Sequence, residues 1–196
     1  MQTMNLQGTE TANMLMKSFA GESQARTRYI FFAETARREG YMEIAETFEV
    51  IAANEHAHAK RFYNFLVEGG LNTQGVTVQA DYPVALGTTE ENLQSAIRGE
   101  HEEWAEIYTK GAAIAQKEGF DTIASAFNAI AKAEEHHEAR FAKLKETMEK
   151  GEVFKKPQKT NWICMVCGYI HEGTEAPKIC PSCNHAQSYY KELKNG

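Results

Sequence analysis

Two Glu-x-x-His pairs, Glu55 with His58 and Glu134 with His137, stand in the middle of otherwise apolar helical stripes. The second stripe runs Ile123, Phe127, Ile130, Glu134, His137, Phe141, Leu144 and Met148, in steps of four and three that keep to one helix face. Ile44, Phe48, Ile51, Glu55, His58, Phe62 and Leu66 repeat the pattern. A third stripe carries Leu93, Ala96, Glu100, Glu103, Ile107, Gly111 and Ile114, and a fourth Leu15, Phe19, Glu22, Tyr29 and Phe32. Each stripe thus holds acid near its midpoint. If the helices pack side by side in antiparallel fashion, five carboxylates and two imidazoles meet at one level of the core.

A self-comparison explains the recurrence. At an offset of 79 residues, REGYMEIAETF from Arg38 falls on KEGFDTIASAF from Lys117, and Glu55, His58, Arg61 and Phe62 fall on Glu134, His137, Arg140 and Phe141. An offset of 78 pairs Gly21 and Glu22 with Gly99 and Glu100. The chain reads as two copies of one helical hairpin, broken at Gly40 and Gly119, with helices over about 9–38, 41–68, 89–118 and 121–150. Residues 69–88 contain Gly69, Gly70, Asn72, Gly75, Pro83 and Gly87. A connection of about twenty residues implies a crossover between the second and third helices of a four-helix bundle.

Leaving these carboxylates unpaired in a core costs several kcal/mol of lost hydration each, so cations must meet them. A single such Glu would ordinarily lie on a solvated face; concurrent mid-stripe acids on four helices argue otherwise. One Glu from each of two helices plus Glu-x-x-His from each of two others is the ligand set of di-iron and di-manganese carboxylate bundles. The i, i+3 spacing puts both side chains within reach of one ion. Glu55 and Glu134 are the expected bridges, with Glu22 and Glu100 as terminal ligands. Carboxylate with imidazole admits Fe, Mn or, less readily, Zn.

Glu103 has no counterpart in the first half, where Gln24 or Ala25 stands. It is expected to exchange with His58 on one ion as the oxidation state changes. Tyr29 and Tyr108 read equally well as hydrogen-bonding partners of ligand carboxylates and as core aromatics. His56, His101 and His136 fall off the stripes and read as surface residues or outer partners of the site.

After Gly151 the helical pattern stops, and residues 151–160 read as a polar linker between a bundle over 1–150 and a module over 161–196. Cys164-x-x-Cys167 and Cys180-x-x-Cys183 form two knuckles suited to one tetrahedral metal. About 36 residues make too small a core, so the metal is expected to supply much of the folding free energy. The spacing itself is shared with zinc ribbons. Trp162, Cys167-Gly168-Tyr169 and Cys180-Pro181-Ser182-Cys183 resemble rubredoxin, a one-iron protein, with Asn184 where many rubredoxins have Gly.

With 27 acidic and 21 basic residues and a net charge of -6, the sequence offers no footprint for nucleic acid. No stretch approaches the roughly 18 apolar residues of a membrane span, and the first residues show no leader pattern. Clustered cysteines without such a leader suit a reducing compartment, and a cytoplasmic location is expected.

The bundle pattern and the cysteine tail together resemble the rubrerythrin family across nearly the whole chain. The resemblance implies an all-α ferritin-like bundle with a small rubredoxin-like β module. It implies two Fe held by Glu22, Glu55, His58, Glu100, Glu103, Glu134 and His137, and one Fe held by Cys164, Cys167, Cys180 and Cys183. It further implies an oxidative-stress peroxidase that reduces hydrogen peroxide to water, with an external NAD(P)H-dependent reductase or rubredoxin as electron donor. The absence of a nucleotide-binding glycine loop agrees with an external reductase. His137 precedes the end of its helix by about 13 residues, or roughly 20 Å, so a head-to-tail homodimer is expected to bring each tail to its partner's bundle. Rival readings are a ferroxidase or iron-handling protein and a zinc-bound interaction module on a metal-binding bundle.

Overall fold

The structure, a computed structural model, describes residues 4–193; the expected module limits at Met1 and Gly196 lie outside the described residues. Thr9 opens helix α1 (Glu10–Glu39) by accepting the N–H of Ala12, which satisfies a donor that the first helical turn leaves free. Gly40 closes it in the left-handed conformation, φ +84°, its N–H bonded to Ala36 and Arg37 carbonyls. The chain reverses directly into α2 (Met42–Leu66), which runs on through a wide π-helical turn, Val67–Leu71.

Residues 72–88 then cross to the other half of the bundle, with the Tyr82 hydroxyl donating to the Lys17 carbonyl at 3.2 Å. A reciprocal cap between Thr88 and Glu91 starts α3 (Thr89–Glu102). A second π-helical turn, Glu103–Ile107, joins α3 to α4 (Tyr108–Lys117), and the two act as one bundle helix. Helix α5 (Asp121–Glu149) completes the four-helix, ferritin-like architecture. The expected helix limits hold to within a few residues, but neither π turn was expected.

The inward stripes bury two apolar clusters. One gathers Leu15, Phe62, Tyr108 and Phe127, the other Tyr29, Phe32, Phe48 and Phe141. Glu22, Glu55, Glu100 and Glu134, each fully buried, lie in the layer between them. The acids therefore sit where water cannot hydrate them.

The expected linker over 151–160 differs in the structure, because strand β1 (Lys155–Cys164) begins inside it. β1 pairs antiparallel with β2 (Ile170–Glu175) and β3 (Tyr190–Glu192), in sheet order β2-β1-β3. Trp162, Cys164, Ala176, Cys180 and Tyr190 form its small core. The module rests on the start of α2: the Tyr41 and Phe154 rings stack with centroids 6.2 Å apart, and Lys191 Nζ lies 2.8 Å from Glu46 Oε2. Among the described residues no helix is long and apolar enough to cross a membrane.

Candidate metal centres

The structure brings the mid-stripe residues into two overlapping clusters. Glu22, Glu55, His58 and Glu134 form one, and Glu55, Glu100, Glu134 and His137 the other, with the ligand atoms of each within 4.8 Å of one another. Glu55 and Glu134 belong to both. His58 Nδ1 lies 3.1 Å from Glu55 Oε2 and 2.9 Å from Glu134 Oε1. His137 Nδ1 lies 3.2 Å from Glu55 Oε1 and 2.7 Å from Glu134 Oε2. Each bridging candidate thus turns one oxygen to each imidazole. The i, i+3 spacing within α2 and α5 is what puts a carboxylate and a ring on the same face.

The polar atoms of this layer are poorly served by one another. Glu22 Oε2, Glu55 Oε1, Glu100 Oε2, both Glu134 oxygens and His137 Nδ1 are buried without a hydrogen-bond partner. His137 Nδ1 is near Glu134 Oε2 but not aligned to bond it. Several orphaned buried acceptors in one place would be costly in an ordinary core. The arrangement fits cations seated among them, and oxygen with imidazole is a donor set for iron.

Two phenols brace the layer from opposite sides. Tyr29, on α1, donates to Glu100 Oε1 at 2.5 Å, and Tyr108, at the start of α4, donates to Glu22 Oε1 at 2.5 Å. Each phenol reaches the acid of the other half, so the duplicated hairpins are cross-linked. Each Tyr is also buried in the apolar core.

Glu103 falls outside both clusters. It opens the π turn, is 9 % exposed, and lines a cavity beside α1. His56, His101 and His136 are exposed. Sequence reasoning did not single out Arg28, a buried guanidinium on the same cavity; it lies off the apolar stripe, and nothing in its spacing marks it.

Burial lifts Glu22, Glu103 and Glu100 above the usual 4.5, Glu100 to about 8, and the neighbouring carboxylates add to the rise. Burial pulls the imidazoles down, but the facing carboxylates outweigh it and hold His58 at about 9 and His137 at about 12. Burial also raises Glu134, yet His137 and His58 leave it net lowered. Groups with raised values stabilise the fold below their unfolded values and lose that contribution as pH rises through the folded ones. The metal-free bundle, followed by its helical signal, should therefore melt at progressively lower temperature from pH 4.5 to about 9. Glu134 runs oppositely, its contribution lost only on acidification below the carboxylate range. Metal should offset the alkaline loss, because it binds deprotonated ligands. Melting curves of both forms across this window test it; metal-free stability that rises with pH would contradict it.

In the tail, Cys164 and Cys183 Sγ are 3.7 Å apart, as are Cys167 and Cys180, and all four sulfurs fall within 4.8 Å. Disulfide sulfurs would be about 2.05 Å apart. A tetrahedron with metal–sulfur bonds of about 2.3 Å has edges near 3.8 Å, which is the spacing seen. Gly168, φ +76°, and Asn184, φ +63°, turn the two knuckles in the left-handed conformation, and their N–H groups bond the Cys164 and Cys180 carbonyls at 2.9 Å. Asn is one of the few residues besides Gly that tolerates this geometry.

Fold and sites together define a helical-bundle dimetal carboxylate protein with an appended four-cysteine metal module. The chain matches the family model described as Rubrerythrin over residues 13–145, and that described as Rubrerythrin, rubredoxin-like domain over residues 162–191. It is 51% identical over 191 residues to Rubrerythrin of Clostridium perfringens, covering 97% of each chain. It is 48% identical over 190 residues to Rubrerythrin-1 of Clostridium acetobutylicum, covering 96% of this chain and 97% of that one. A structure of nigerythrin in a partially reduced state superposes with a TM-score of 0.62 at 27% identity, covering 98% of this chain and 94% of that one. The chain belongs to the rubrerythrin family. Its carboxylate and imidazole site fits two iron ions and its cysteine site one. The rubredoxin-like module implies electron-transfer chemistry.

Proposed function

We propose that this chain is a peroxidase that reduces hydrogen peroxide to water and so protects against oxidative stress. Its electrons come from an external NAD(P)H-dependent reductase or rubredoxin through the four-cysteine iron. The observation that carries this reading is the union in one chain of a buried two-metal carboxylate layer with a one-metal, four-cysteine module. Storage of iron needs no such electron relay.

Glu55 and Glu134, which belong to both clusters, would hold both ions, with Glu22 and His58 completing one position and Glu100 and His137 the other. Iron held there would supply the electrons for peroxide reduction. The chain's part is to fix the spacing and manage protons, since each peroxide consumes two electrons and two protons on its way to two waters. Tyr108 and Tyr29 hold Glu22 and Glu100 through their hydroxyls, which keeps both carboxylates oriented. Glu103, turned toward the cavity, is free to exchange with His58; identical coordination in the oxidised and reduced forms would sink that part.

A head-to-tail homodimer belongs to the same proposal. The tail touches its own bundle at Glu46, nine residues and about 14 Å along α2 from Glu55. A partner's tail seated at mid-bundle would shorten the electron's path. The test of function is steady-state: with a suitable reductase, NAD(P)H oxidation should depend on hydrogen peroxide, and added ferrous iron should not accumulate beyond the fitted sites. Iron mineralisation without peroxide-dependent NAD(P)H oxidation would favour the ferroxidase reading.

A further inference from the structure

Glycine inside a helix costs roughly 0.5–1 kcal/mol relative to alanine, so a helix-interior glycine calls for a reason. Gly111 has a steric one: a Cβ there would come within 2.9 Å of the Phe127 ring. Gly21 in α1 and Gly99 in α3 have none. A Cβ on Gly21 would meet only Glu103 Oε1 at 3.8 Å and Tyr82 Cε1 at 3.9 Å, and one on Gly99 only Arg28 Nη2 at 3.8 Å. These are ordinary contacts, and neither glycine has a positive φ.

What the two glycines share is a cavity of about 380 Å3 between α1 and the α3–α4 helix, in whose lining residues 79–83 of the crossover take part. Glu103 and Tyr108 line it as well, and Tyr108 bonds the buried Glu22. Its wall includes two groups with unmet hydrogen-bonding capacity, Ser18 Oγ and Arg28 Nη1. Ser18 is 2 % exposed and Arg28 9 %, so water does not compensate them cheaply. Arg28 is fixed by its Nε bond to Gln24 at 2.6 Å. A hydroperoxide carries both donors and lone pairs. Arg28 donates, Ser18 does both, and Glu103 accepts, which suits a molecule of that kind and size.

We propose that this cavity, kept open by the missing side chains of Gly21 and Gly99, is the inlet by which a small hydroperoxide reaches the carboxylate layer, with Arg28 and Ser18 holding it on the way. The inference rests on the peroxidase reading, but the inlet can be tested apart from it with nitric oxide, a small uncharged probe that binds ferrous iron.

Gly21→Leu projects a side chain into the cavity while improving helix propensity. In stopped flow with the iron-loaded, reduced chain, it should slow both nitric oxide binding and peroxide reoxidation by about tenfold, the effect of roughly 1.4 kcal/mol of added barrier. Gly21→Ala should do much less. Arg28→Gln should raise the peroxide concentration needed for half-maximal rate and leave nitric oxide binding unchanged. Gly21→Leu with full iron content and unchanged nitric oxide binding overturns the inlet. Slowed nitric oxide binding in a chain that does not reduce peroxide keeps the inlet and removes the peroxidase. If Gly21→Leu fails to load iron, Tyr82→Ala on the exposed roof decides: a raised ratio of cumene hydroperoxide to hydrogen peroxide reactivity supports the inlet, and an unchanged ratio overturns it.

Discussion

Glu55→Gln should cost the chain both irons of the carboxylate site, while Glu22→Gln should cost no more than one. Glu55 belongs to both ligand clusters, and its two oxygens face the two imidazoles at 3.1 and 3.2 Å. Glutamine preserves the volume but removes the charge and replaces one anionic oxygen with an NH2 donor, which cannot coordinate. Glu22 touches only the cluster around His58. Peroxide reduction by Glu55→Gln should fall by more than the roughly 10- to 100-fold cost of losing an outer partner of a metal ligand. Metal analysis of the purified variants, with the cysteine iron counted separately by its visible absorption, gives the answer. Two firmly bound irons in Glu55→Gln would remove Glu55 as a bridge.

Cys180→Ala should uncouple the chain without dismantling the bundle. Cys180 is 1 % exposed and belongs to the small core with Trp162, Cys164, Ala176 and Tyr190. So few residues cannot offset the conformational entropy of the module, whereas a bound four-ligand metal contributes roughly 10–16 kcal/mol in comparable small domains. Loss of one cysteine should therefore unfold the tail, seen as lost near-UV signal from Trp162 while the far-UV helical signal persists. Reductase-driven turnover should fall to background. One round of peroxide reoxidation by a chemically reduced bundle should survive. Full NAD(P)H-linked turnover in this variant would mean that electrons do not pass through the cysteine iron.

The candidate ligand residues were legible because a helical stripe has a fixed repeat and charge inside it has no cheap explanation. Glu22, Glu55, His58, Glu100, Glu134 and His137 could be placed at one level of the bundle by counting alone, and their side chains do converge. The π turn Glu103–Ile107 is different, since a wide turn leaves no composition of its own. A trace of it was present. The repeat offset is 78 at Glu22 and Glu100 but 79 at Tyr29 and Tyr108, so the second copy holds one extra residue between positions 100 and 108. A helix that gains one residue and keeps its register on both sides must widen a turn, and the widened turn is where Glu103 stands. This also accounts for Glu103 lacking a counterpart.

Strand β1 was hidden for another reason. From Lys155 to Thr160 most of its side chains are exposed or half-buried, Pro157 interrupts, and the register with β2 shifts between Lys155 and Thr160. Its pairing is made by backbone groups, which carry no sequence pattern, so the segment reads as polar linker. The crossed phenols, Tyr29 to Glu100 and Tyr108 to Glu22, needed coordinates because helix spacing fixes faces, not which neighbour a side chain reaches.

The most direct test follows both centres in one experiment. The iron-loaded chain, fully reduced without air, is mixed with hydrogen peroxide or with dioxygen in stopped flow while the ferric-thiolate absorption is recorded. The account predicts that peroxide restores this band quickly, after the carboxylate site has reacted, and that dioxygen restores it slowly. A band that stays silent while the bundle oxidises excess ferrous iron would contradict the peroxidase and its electron route together.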